Sequence, residues 1–91
     1  MAAVFWDIDG SFTYAGTDIP LPGAVDALHW MIQEGHQVIF VTQRDNSNSF
    51  EFMMRRKGFR LPVWSGIQNP RVVINDLGAQ ALNRETDQPW E

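Results

Sequence analysis

Short apolar runs alternate with amphipathic stretches along this chain, and that alternation predicts its elements. Residues 2–6 are apolar and partly aromatic, the pattern of a short buried strand. Residues 10–22 are rich in Gly, Ser, Thr, Asp and Pro and read as a loop or small flap. Pro22 suits a first helical turn. Beyond it Val25, Leu28 and Ile32 recur at helical spacing, with Ala24 and Met31 beside them, until Gly35 supplies a stop. The second strand covers 37–41, where Val38-Ile39-Phe40-Val41 is closed by Thr42. A helix over about 48–57 buries Phe50, Met53 and Met54 and ends at Gly58, and Asn48 with Glu51 has capping-box spacing. Residues 61–64 form a short third strand, weakened by Pro62. Residues 71–75, Arg-Val-Val-Ile-Asn, are expected as a further strand, residues 77–84 as a short helix, and the tail through Pro89 as loose.

The order β-α-β-α-(β)-β-α predicts an α/β fold. The expected architecture is a Rossmann-like three-layer α/β/α sandwich, with a small, mostly parallel sheet and helices on both faces. Open sheets of this kind bind ligands at the carboxyl ends of their strands. Asp7 and Asp9 follow the first strand, Thr42 the second, and Asn75-Asp76 the last. Positions far apart in the chain are thereby expected on one edge.

Composition narrows the possibilities. At 91 residues a single domain, 1–91, is expected, and no internal repeat, linker or low-complexity segment divides it. Hydrophobic residues at 44% and charged residues at 20% describe a globular chain rather than a disordered one. The net charge of −4 argues against a nucleic-acid-binding surface, which normally carries a basic face. The one basic cluster, Arg55-Arg56-Lys57 with Arg60, reads as a helix C-terminus, where cations complement the dipole. No cysteine is present, which excludes disulfides, thiolate zinc sites and thiol nucleophiles. Met1-Ala2-Ala3 lacks the basic-then-apolar design of a signal peptide, and no apolar run reaches membrane-spanning length, so a cytoplasmic location is expected.

The chemistry lies in Asp7-Ile8-Asp9-Gly10-Ser11. Residues i and i+2 of an extended chain project to the same side, which crowds the Asp7 and Asp9 carboxylates. Like charges held together raise one of the two pKa values unless a cation intervenes. Mg²⁺ suits such a place, because it takes a few carboxylates together with water and substrate phosphate. Asp76 would arrive from another strand as a third acid. Three acids, a hydroxyl and exposed backbone N–H groups make a site for a phosphoryl group.

The pattern resembles the haloacid dehalogenase superfamily, whose members are mostly Mg²⁺-dependent phosphatases. Phe5-Trp6-Asp7-Ile8-Asp9-Gly10-Ser11 is similar to the family's first motif, Val38-Ile39-Phe40-Val41-Thr42 to its second and Val72-Val73-Ile74-Asn75-Asp76 to its fourth. The likeness spans roughly residues 3–82. It implies that Asp7 is the nucleophile and forms an aspartyl-phosphate, with Asp9 as general acid and then base. It implies Mg²⁺ on the Asp7 and Asp76 carboxylates and the Asp9 carbonyl. Phosphoryl oxygens would be held by Thr42 and by the backbone around Ile8 and Gly10.

Two departures accompany the likeness. Asn75 stands where an acidic pair would begin, and the lysine of the family's third motif is not evident. The single lysine, Lys57, falls at the far end of a helix leading away from the site, and Arg71 at the start of the last strand has the same fault. Arg44, two residues beyond Thr42, is better placed for a phosphate, although an arginine is not a simple substitute for lysine, and the alternatives for cation support are Arg44, Arg71 or a partner chain.

The gaps between motifs are too short for a cap domain, with about a dozen residues between Asp9 and Pro22 and fewer between Trp64 and Arg71. An open site, covered only by the flap near 11–21, accommodates phosphorylated substrates up to macromolecular size, or small ones if a second copy of the chain closes over it. The competing expectations are a binding module of the same fold without turnover, and a signalling receiver domain. The latter is disfavoured because its phosphorylated Asp ends a middle strand, where this chain has Thr42. Taken singly, Asp-Gly-Ser is an ordinary turn, Thr42 a strand-end cap and Asp76 a helix N-cap. His29 and His36 lack metal-ligand spacing and read as surface or boundary positions. Trp6 reads as core, and Trp30, Trp64 and Trp90 as packing.

Overall fold

In the computed structural model, which describes residues 1–76, five elements follow one another: β1 (Ala3–Asp7), α1 (Ala24–Gln33), β2 (Gln37–Val41), α2 (Asn48–Arg56) and β3 (Val63–Trp64). The strands pair in parallel in the order β1-β2-β3. Asp7 lies opposite Val41 and Val41 opposite Trp64, so these three share one row across the sheet.

Alternation along the strands decides where the core forms. Trp6 on β1 and Val38 and Phe40 on β2 join Ala24, Ala27, Leu28 and Met31 of α1 and Phe50 and Met54 of α2 in one buried cluster. Both crossovers run in the same direction across the sheet. Right-handed connections therefore place both helices on one face. On the other face Phe5 and Trp64 meet with ring centroids 5.6 Å apart, and each stays about half exposed, at 48% and 49%. Among the described residues the fold is a small α/β unit of one parallel sheet and two helices. The expected helix at 77–84 and Trp90 lie outside the described residues.

Element boundaries differ from expectation in instructive ways. α1 begins at Ala24 rather than at Pro22, because Gly23 takes the left-handed conformation at φ 81° and so serves as N-cap without a side chain. At α2 the capping partner is shifted by one residue. Ser47 is the N-cap and its hydroxyl donates to Glu51 Oε2 at 2.8 Å, while Asn48 N donates to Asn46 Oδ1 at 2.8 Å. Arg55 and Arg56 occupy the last turn and Lys57 the C-cap, as a cationic helix end requires. Arg56 also stacks over the Phe52 ring.

Residues 71–75 are not a strand. They carry no regular structure, and Val72 and Ile74 are 82% and 94% exposed. A β-branched run supplies propensity, but a strand exists only where a partner completes its ladder. A fourth parallel strand beside β1 would start near Ala3 and finish near Asp7. Arg71 is instead held at the Asp7 end by an ion pair, so the segment departs from the wrong edge to run alongside β1. The five residues of β1 span about 16 Å, too far for one arginine side chain to bridge.

The flap is not a loose cover. Phe12 is completely buried and packs edge-on against Trp6, Phe40 and Phe50, with centroids 4.9, 4.8 and 5.9 Å away. Isolated bridges Asp9–Thr13 and Thr13–Pro20 fold the segment onto itself. No helix among the described residues is long and apolar enough to cross a membrane.

Candidate functional site

β1 delivers Asp7 at its last residue. The ladder continues for one more bond, Ile8 N to Val41 O at 3.1 Å, and then the chain turns at Gly10, whose φ of 78° places it in the region that favours glycine. Gly10 N donates to Thr13 O at 2.9 Å. The amides of Ile8 and Gly10, expected to face a phosphate, are thus engaged within the fold. The N–H of Asp9 between them donates to no described residue.

Arg44 binds Asp9 with both prongs, Nε to Oδ2 at 3.0 Å and Nη2 to Oδ1 at 2.8 Å. The same guanidinium reaches into the flap, donating from Nη1 to Asp18 Oδ1 at 2.6 Å and from Nη2 to Thr17 O at 2.6 Å. Gly16 N adds a further donor to Asp9 Oδ1 at 2.9 Å. The Arg44 contact holds the Asp9 carboxyl below the ordinary carboxylate value, with smaller help from Gly16, the Arg44 charge and the Thr42 hydroxyl, and against the effect of burial. Reciprocally, Asp9 and then Asp18 push Arg44 further above its already high range.

Thr42 sits one residue beyond β2 and is completely buried. Its hydroxyl accepts from Arg44 N at 3.1 Å, and so sets the start of the loop that carries the arginine. The chain after β3 is stitched to this loop. Gly66 N donates to Arg44 O at 2.7 Å and Ile67 N to Thr42 O at 2.9 Å.

That stitching delivers Arg71. Its Nη2 donates to Ile67 O at 2.9 Å and its Nη1 to Asp7 Oδ1 at 2.7 Å. The expectation that Arg71 lies on the far side is therefore overturned, because it belongs to an irregular segment and not to the start of a strand. Asp7 Oδ2 accepts no hydrogen bond from any described residue. Arg71 Nε is buried without a partner among the described residues.

Of the expected site residues, Asp7, Ile8, Asp9, Gly10, Thr42 and Arg44 come together at the carboxyl ends of β1 and β2. Asp76 is exposed, and no group of three or more His, Cys, Asp or Glu side chains among the described residues is gathered so as to hold a metal ion. Asp7 and Asp9 are each paired with an arginine instead. Reading the sequence missed Asp18 and mislaid Arg71. The available signal was charge balance, since two crowded carboxylates without a lysine must find cations elsewhere. A shallow cavity of about 170 Å³ lies away from these carboxylates, between α2 and β3, lined in part by Phe40, Met54, Leu61 and Val63. His36 and His29 stay outside the site, the first accepting from Ala2 N at 3.0 Å and the second with its ring tilted against that of Phe59.

No protein-family model, curated protein or solved structure matches this chain. Its class therefore rests on what has been described, a small parallel α/β domain with two arginine–carboxylate pairs at the strand ends.

Proposed function

We propose that this chain is a minimal, uncapped, haloacid-dehalogenase-like phosphohydrolase that acts on phosphomonoesters through Asp7 with Mg²⁺ as cofactor. The observation that carries this reading is the free Oδ2 of Asp7 beside a guanidinium at the carboxyl end of a parallel strand. In the reaction Asp7 Oδ2 attacks phosphorus as the ester P–O bond breaks, giving an aspartyl-phosphate. The leaving oxygen takes a proton from the Asp9 carboxyl. Water then attacks the phosphoryl group, Asp9 recovers a proton from it, and Asp7 and inorganic phosphate are released.

Mg²⁺ would be held here by one carboxylate, that of Asp7, and by the main-chain carbonyl of Asp9. With Oδ2 kept for attack on phosphorus, Asp7 would offer the ion Oδ1, beside its bond from Arg71; this ion is commonly bound by one or two carboxylates with water and phosphate oxygens completing its shell. When bound it supplies positive charge to the phosphoryl oxygens. A helical layer on the other face of the sheet, which would make the fold a three-layer sandwich, belongs to this proposal.

The experiment is Mg²⁺-dependent phosphate release from p-nitrophenyl phosphate by the full chain and by Asp7→Asn. Turnover lost in the variant supports the reading. Turnover kept in it removes Asp7 from its role.

A second reading is a phosphoryl-binding module without turnover. The two-pronged Arg44 contact favours it, because a general acid must hold a proton at the working pH and Asp9 is held below the ordinary carboxylate range. Phosphate binding with no turnover in any divalent cation selects this reading.

A further inference from the structure

Two arginines stand at this edge, and their surroundings divide the work between them. Arg44 spends Nε, Nη1 and both hydrogens of Nη2 on Asp9, Asp18 and Thr17 O. Two carboxylates surround that one guanidinium, so its neighbourhood is net negative and repels a further anion. Arg71 faces one carboxylate and one carbonyl. A guanidinium carries five N–H donors, so Arg71 keeps a hydrogen on each terminal nitrogen. Its Nε is buried, so a ligand meets only the terminal nitrogens. An oxyanion is the acceptor best matched to those charged donors.

We propose that Arg71 is the oxyanion-binding group of the site and takes a phosphoryl oxygen beside Asp7, whereas Arg44 is a latch that ties the flap to Asp9. This rests on the phosphoryl-site reading above and deepens it. The position of Arg71 also answers a problem of charge. A phosphate approaching Asp7 Oδ2 meets a carboxylate of its own sign, and the guanidinium 2.7 Å from Oδ1 offsets that repulsion. The lysine that the chain lacks at this place is thereby replaced from an irregular segment, delivered by the Ile67 N to Thr42 O and Arg71 Nη2 to Ile67 O bonds.

The test measures binding of inorganic phosphate to the metal-stripped full chain by isothermal titration calorimetry and ³¹P line broadening. Wild type, Arg71→Gln, Arg71→Lys and Arg44→Gln are compared, each checked for native far-UV circular dichroism. Loss of one charge-assisted fork predicts about tenfold weaker binding in Arg71→Gln, with partial recovery in Arg71→Lys. Arg44→Gln should weaken phosphate binding less than Arg71→Gln does, through the charge left on Asp9 and Asp18, and should lose thermal stability. Arg71→Lys keeps the assignment falsifiable should Arg71→Gln fail to fold, since a lysine that binds as tightly as wild type overturns the fork. Unchanged binding in Arg71→Gln, a loss confined to Arg44→Gln, or no binding by wild type also overturns it. Arg71-dependent phosphate binding without Mg²⁺-dependent turnover refutes hydrolysis and leaves this assignment standing. Turnover indifferent to Arg71→Gln does the reverse.

Discussion

Arg44 grips Asp9 with two nitrogens, at 3.0 and 2.8 Å, across 35 residues of sequence, and with a third nitrogen it holds Asp18 in the flap. One side chain thus joins the loop after β2 to the turn after β1 and to the segment that covers it. The cation expected to meet a ligand here serves the architecture.

Replacing Arg44 by Gln therefore frees the flap and leaves Asp9 and Asp18 without their countercharge. The expected cost is about 1–2 kcal/mol, in the range for hydrogen bonds to charged groups that keep some contact with water. Urea unfolding followed by circular dichroism measures it. Arg44→Lys should recover less than half, because an ammonium cannot reproduce the fork.

The Asp9 pair also sets a pH dependence. Its folded-state pKa lies below the ordinary carboxyl value of 3.8, so its contribution to stability is fully present above that value. That contribution is lost as pH falls from 3.8 through the folded-state pKa. The stability difference between wild type and Asp9→Asn, measured by urea midpoints at a series of pH values in EDTA, should be flat near neutrality and shrink in that acid window. A difference that grows on acidification contradicts the pairing.

Phe12 reports on whether the flap belongs to the core. Phe12→Ala removes a ring packed against three others and should cost about 3–5 kcal/mol, a large part of the stability of any small domain. Hydrogen exchange at Gly10 and Leu21, whose amides bond to Thr13 O and Phe12 O, should accelerate in the milder Phe12→Leu. Unaltered exchange there would mean that the flap is not anchored through this ring.

Ile74→Asp distinguishes the irregular segment from a sheet strand. At 94% exposure Ile74 lies outside the core, and the change should stay within about 0.5 kcal/mol of wild type. A loss of several kcal/mol in a denaturation series would instead place residues 71–75 in the sheet.

Removing divalent cations should leave the fold intact. Asp7 and Asp9 are balanced by Arg71 and Arg44, so folding does not wait for a metal as it does in small metal-organised domains. Far-UV spectra with and without EDTA should superimpose, while any hydrolysis of aryl phosphate stops.

Several elements could be read directly from residues. β2 falls over 37–41 as its apolar run predicts, and Gly35 and Gly58 follow α1 and α2 where left-handed stops are needed. Trp6 is core, and the Asp7–Gly10 turn follows the first strand. Less legible were Phe12, an aromatic ring in an otherwise polar loop, and the capping of α2, where Ser47 rather than Asn48 engages Glu51. Val72-Val73-Ile74 misled for the opposite reason, because its local preference finds no partner strand among the described residues.

The alternation of strand and helix and the crowding of Asp7 and Asp9 are local properties of the chain, since both depend on periodicities of two and of 3.6 within a few residues. Which cation answers which acid is settled by contacts between distant segments. Asp7 pairs with Arg71 across 64 residues and Asp9 with Arg44 across 35, and such pairings depend on where loops of irregular backbone return to the sheet. No local pattern encodes that return. It is set by the stitching of Gly66 and Ile67 to the loop after β2, and by the burial of Phe12 that draws the flap within reach of Arg44.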